Sequence, residues 1–116
     1  MSLLISLIIV WGTWGLLRDA LNLALNAVPA GIDAGKVRAY LESLAGVDGI
    51  HDLHIWAMST TQTALTCHLV MPGGPPADAF VGEVTRQLQD RFRIEHATLQ
   101  IERGDTPCAL EPDHVV

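Results

Sequence analysis

Three observations predict an α+β fold behind a membrane-spanning approach. They are a charge-free run from Leu3 to Leu17, two helical stripes after residue 32, and three strand-like runs between and after those stripes. The charge-free run supplies fifteen residues before Arg18-Asp19, and a helix needs about 20 apolar residues to cross a bilayer core. Ala20 to Val28 extends the apolar stretch, interrupted by Asn22 and Asn26. Trp11 and Trp14 lie toward one end, where interface aromatics are common. Residues 1–28 therefore read as the end of a transmembrane helix and its exit, with the helix beginning upstream of Met1. Two rival readings stay open: a buried amphipathic helix, and a secretory signal peptide with Ala24-Leu25-Asn26-Ala27 as a loose cleavage box. The second lacks the basic residues that precede a signal core.

Residues 29–32 are a linker, because Pro29 removes a helical donor and Gly31 permits a turn. Asp33 is a plausible N-cap with Ile32 and Val37 spaced for a hydrophobic staple. Val37, Tyr40, Leu41 and Leu44 then recur at helical spacing, and Gly46 ends the pattern, so a helix is expected over 33–45. Val47 to Met58 reads as a first strand, and Gln62 to Met71 as a second. Pro72-Gly73-Gly74-Pro75-Pro76 breaks the chain before a second helix from Ala77 to Arg91, with Phe80, Val81, Val84 and Leu88 on one face. In the third strand, Arg93 to Arg103, Ala97, Leu99 and Ile101 point one way and His96, Thr98, Gln100 and Glu102 the other. The order α-β-β-α-β over 33–103 predicts a ferredoxin-like α+β domain, truncated to three strands, with both helices on one sheet face. Residues 104–116 form a tail expected to be loosely ordered.

At 116 residues the chain holds one domain plus an appendage. Arg18 and Asp19 cancel, so the whole net charge of −6 falls on the residues from Asp33 on. That balance excludes a nucleic-acid partner, which needs Lys/Arg clusters, and suits a surface that attracts cations. Cys67 and Cys108 form no CxxC pair. Cys67 reads as a small core residue in a reducing compartment, and a Cys67–Cys108 disulfide stays open.

The residues that carry chemistry are metal-capable. His51, Asp52 and His54 share the first strand, His68 lies in the second, His96 and Glu102 in the third, and Cys108 just beyond. Imidazole, carboxylate and thiolate are ligand types for Zn²⁺ and its neighbours. On a regular strand His51 and His54 face opposite sides and share no ion without a bulge. His54 beside Trp56 therefore reads as packing, and His51 as the ligand. His51, His68 and Glu102 converge only if their strands are neighbours in register. His96 reads equally as a surface residue. Asp78 suits the start of a helix through the dipole alone. No nucleophile elbow, phosphate loop or paired-carboxylate pattern appears, so an enzyme is not expected.

Four motifs in order, Leu21–Asp33, Gly46–Trp56, Leu65–Leu69 and His96–Glu102, resemble the C-terminal third of cation diffusion facilitator transporters, above all the cobalt–zinc–cadmium resistance branch. The resemblance covers residue 3 to about residue 109. It implies a homodimeric cation/proton antiporter of the inner (plasma) membrane, with six transmembrane helices and a cytoplasmic ferredoxin-like domain from about residue 29. That domain would dimerise and bind Zn²⁺, or Co²⁺, Cd²⁺, Ni²⁺ or Fe²⁺, so as to regulate transport. The transport site itself uses Asp and His on helices preceding these residues. Carried over one at a time, His51 and His68 match cytoplasmic ligands, and Glu102 matches an acidic ligand able to bridge two ions. Asp78 falls near a further ligand position, His96 and Cys108 resemble ligands of other branches, and Gln100 stands where some members have a ligating His. The alternative is a purely structural dimerisation domain without a functional metal site.

Overall fold

A computed structural model describes residues 1–75 and 77–110, with Asp78 described by its backbone alone. The elements are helix α1 (Ser2–Ala24), helix α2 (Ala34–Glu42), strands β1 (Gly49–Ala57) and β2 (Thr63–Val70), helix α3 (Asp78–Phe92) and strand β3 (His96–Glu102). The predicted order holds, and the elements are mostly shorter at each end than sequence periodicity suggested, as end fraying leads one to expect.

None of the 23 residues of α1 is buried. At 1.5 Å per residue the helix is about 35 Å long, against a bilayer core of about 30 Å. Its hydroxyls are satisfied within the helix: Ser6 Oγ donates to the Ser2 carbonyl at 3.0 Å and Thr13 Oγ1 to the Ile9 carbonyl at 2.8 Å. Such i−4 bonds remove the cost of exposing a hydroxyl to an apolar surrounding.

Asp33 caps α2, its carboxylate accepting from the Lys36 amide at 3.1 Å. β2 is the central strand, antiparallel to β1 and parallel to β3. A parallel pair needs a crossover, and α3 is that crossover. Both helices cover one sheet face. Val37 and Leu41 of α2 and Val84 and Leu88 of α3 are buried with Ile55, Leu65, Cys67, Leu69, Met71 and Ile94. Ala97, Leu99 and Ile101 pack against this core from β3, as their alternation predicted.

The β1–β2 register slips once. His51 pairs with His68 and His54 with Thr66, so Asp52 and Leu53 span the interval that Cys67 spans alone. This is a β-bulge. Asp52 takes the left-handed backbone conformation, φ 52°, which Asp tolerates better than most residues. The expectation that His51 and His54 face opposite sides is therefore overturned. Thr66 and His68 share a face of β2, so their partners His54 and His51 share it too.

Candidate metal centre

The face of the sheet away from the helices gathers the candidate ligands, and the register decides which of them meet. His68 of β2 stands opposite His51 of β1 on one side and Gln100 of β3 on the other. The His51 and His68 rings meet edge-on with centroids 4.8 Å apart. Glu102, two residues beyond Gln100, reaches both: its Oε2 lies 3.0 Å from His51 Nε2 and its Oε1 2.8 Å from His68 Nδ1.

Cys108 completes the group from the chain after β3. Gly104, with φ 75°, makes a left-handed turn there that favours glycine, and Cys108 Sγ comes to 3.8 Å from His68 Nδ1. The described part of the tail thus returns to the sheet at Cys108, which is half-buried.

His51, His68, Glu102 and Cys108 each offer a ligand atom, and all four atoms lie within 4.8 Å of one another. Tetrahedral Zn²⁺ bound at its usual lengths separates two nitrogens by about 3.3 Å and a nitrogen from a sulfur by about 3.6 Å. The donors lie close enough, at up to 4.8 Å, for small side-chain movements to bring them to those spacings. The donor set, two imidazoles, a carboxylate and a thiolate, suits borderline divalent metals. His51 Nδ1, buried, has no hydrogen-bond partner among the described residues. That is costly for a polar atom, and the His51 ring is otherwise held only through the nitrogen facing Glu102.

Burial pushes the Glu102 carboxyl up, but hydrogen bonds from Gln100 and His51 and the charge of His68 and His51 outweigh it. The net effect holds Glu102 below the usual carboxylate range. A carboxylate that keeps its charge is what a ligand needs. Gln100, a residue of doubtful role in sequence, donates from Nε2 to Glu102 Oε1 at 2.8 Å and so steadies that carboxylate.

The remaining candidates are not part of this group among the described residues. His96 pairs with Ala64 at the far end of β3 and is exposed. Four residues of strand place it about 13 Å along from Gln100, so it does not join the four-residue group. Asp78 begins α3, and its side chain lies outside the described residues. His54, read as packing, is part-exposed and bonds Asp52 Oδ1 through Nε2 at 2.9 Å. Sequence reading left Asp52 out of the site, although its other oxygen lies 3.5 Å from His68 Nε2. The one signal for it was the conditional bulge. Cys67 is buried in the core as expected, and both cysteines are free. Burial pushes the Cys67 thiol up to about 12, and its side chain lies in the core under the helices, away from the candidate ligands.

The family profile described as "Cation efflux protein, cytoplasmic domain" matches residues 29–104. The chain is 36% identical over 108 residues to the cation efflux system protein CzcD of Alcaligenes sp. strain CT14, an alignment covering 92% of this chain and 34% of that protein. It is 33% identical over 97 residues to the human proton-coupled zinc antiporter SLC30A2, covering 84% of this chain and 26% of that one. The chain thus spans about a third or less of the length of these relatives. Among solved structures it is similar to the metal-bound C-terminal domain of the CzcD transporter from Cuprividus metallidurans. There the identity is 33% and the TM-score 0.55, covering 61% of this chain and 99% of that one.

Proposed function

The chain belongs to the cation efflux protein family, as residues of its cytoplasmic domain and the apolar helix before it, and on that premise we propose a regulatory role in metal transport. Residues 33–103 are a metal-binding and dimerisation domain of a divalent-cation efflux transporter working as a cation/proton antiporter. Residues 1–28 are the end of its last transmembrane helix and the exit from it, 29–32 a linker and 104–116 a tail. The location is the plasma membrane, with residues from about 29 on in the cytoplasm.

One observation carries the reading: two imidazoles, a carboxylate and a thiol from β1, β2, β3 and the tail bring their ligand atoms within 4.8 Å of one another. His51, His68, Glu102 and Cys108 would hold the ion, which would supply a cross-link between strands and tail. Zn²⁺ is the first choice by donor set, with Co²⁺, Cd²⁺, Ni²⁺ and Fe²⁺ sharing the same ligand types. The related C-terminal domain is described as metal-bound, which supports an ion at such a site without choosing which. The uncovered sheet face is the surface through which two copies would pair. The relatives are transporters by name.

The test is zinc titration of residues 29–116, whose core does not involve α1, with light scattering in zinc and in chelator. Zinc uptake with a zinc-dependent shift toward dimer is expected. Equal dimerisation in both conditions, without zinc uptake, sinks the proposal in favour of a purely structural dimerisation domain.

A further inference from the structure

One carboxylate on the open face stands outside the proposed ligand set yet is aimed at it. Asp52 Oδ2 lies 3.5 Å from His68 Nε2, and its Oδ1 2.9 Å from His54 Nε2. The two nitrogens of His68 are thereby divided. Nδ1 points at Glu102 Oε1, 2.8 Å away, and Cys108 Sγ, 3.8 Å away, while Nε2 points away from the donors toward Asp52. An imidazole binds an ion through one nitrogen. The N–H on the other needs an acceptor, which sets the tautomer, fixes the ring and strengthens the donor.

The backbone shows what it takes to place that acceptor. A regular strand would turn residue 52 away from its neighbour 51, onto the helix face. The bulge with Asp52 at φ 52° returns the carboxylate to the open face, at a conformational cost for any residue but glycine, Asn or Asp. His54 then holds the second oxygen, so Asp52 is aimed by two contacts at once.

We infer that Asp52 is a positioning residue for the candidate metal centre, orienting His68 so that Nδ1 faces the ion and Nε2–H faces the Asp52 carboxylate, with His54 as its anchor on the solvent side. The inference rests on the proposed metal site. It adds a dependence on residues that contribute no ligand atom.

The test uses the whole chain in detergent micelles, with zinc as the probe, competition titration for affinity and ¹⁵N spectra of labelled histidine rings. Asp52→Asn keeps size and left-handed tolerance but loses the charge; Asp52→Gly keeps the backbone conformation and loses the side chain. Each should weaken zinc binding about 10–100-fold, the usual effect of an outer-shell partner, with the melting temperature of the metal-free chain little changed for Asp52→Asn. His54→Gln should shift affinity in the same direction by less. In zinc-loaded wild type the His68 ring should carry its proton on Nε2 and its metal shift on Nδ1, and Asp52→Gly should lose the sharp Nε2–H signal. Both Asp52 variants binding within twofold of wild type, or a His68 metal shift on Nε2, overturns the inference while leaving the metal site standing. A wild-type chain that takes up no zinc overturns both.

Discussion

His51 and His68 face each other across the β1–β2 ladder with ring centroids 4.8 Å apart, and Glu102 joins them, its Oε2 3.0 Å from His51 Nε2 and its Oε1 2.8 Å from His68 Nδ1. This three-strand contact makes a pair of buried imidazoles chemically useful. Buried polar rings need partners, and a shared carboxylate is a partner that a metal can use as well.

Loss of two of the ligands should remove the centre. His68→Ala combined with Glu102→Ala is expected to weaken zinc binding by more than the 10–100-fold typical of an outer-shell change. His96→Ala, far along β3, should leave it unchanged. Isothermal titration with a competing chelator measures both, and unaltered affinity in the double variant removes the ligand assignment.

Acid should release the metal. Glu102 is held below the usual carboxylate range, so it keeps the charge a ligand needs into mild acid. Protons compete with zinc for the ligand atoms, and affinity must therefore fall as pH is lowered. A depressed carboxyl also stabilises the metal-free fold above its ordinary titration range, an effect lost as pH falls through the folded value. Unfolding curves of Glu102→Gln against wild type should differ near neutrality and converge in strong acid.

The two thiols should behave oppositely. Cys67 is buried with its thiol pushed up to about 12, whereas Cys108 is half-buried at the proposed centre. Iodoacetamide at mildly alkaline pH is expected to label Cys108 alone in the folded chain, and zinc to slow that labelling. For Cys67 the folded value lies above the ordinary thiol value of 9.0. Its contribution to stability is therefore full below that value and lost as pH rises toward about 12. Cys67→Ala should flatten this alkaline decline in unfolding experiments, and rapid alkylation of Cys67 in folded protein would contradict the burial.

Stability should divide between the domain and α1. Leu69 is fully buried at the centre of β2, and Leu→Ala in such a site costs about 2–5 kcal/mol. Leu17, 51% exposed on α1, should cost the domain nothing on the same change. The full chain is expected to partition into detergent or liposomes and residues 29–116 to remain in water, as flotation would report.

What could be read from residues alone was local. The charge-free run, the α2 stripe from Val37 to Leu44, the proline-glycine break and the two faces of β3 all follow from spacing along one segment, and each reappears in the structure. Hydrophobic periodicity reports which side of an element is buried, and that needs no partner. The meeting of His51, His68 and Glu102 is a different kind of fact. It depends on which residues pair across strands, and a slip of one residue turns every side chain to the other face. A single left-handed residue, Asp52, makes such a slip in β1. It carries His54 onto the face of His51 and turns an apparently idle carboxylate toward His68. The return of Cys108, from the turn at Gly104, and the distance of His96 are likewise consequences of register and chain path. The kinds of ligand were written in the sequence; their convergence was decided by the pairing of β1, β2 and β3.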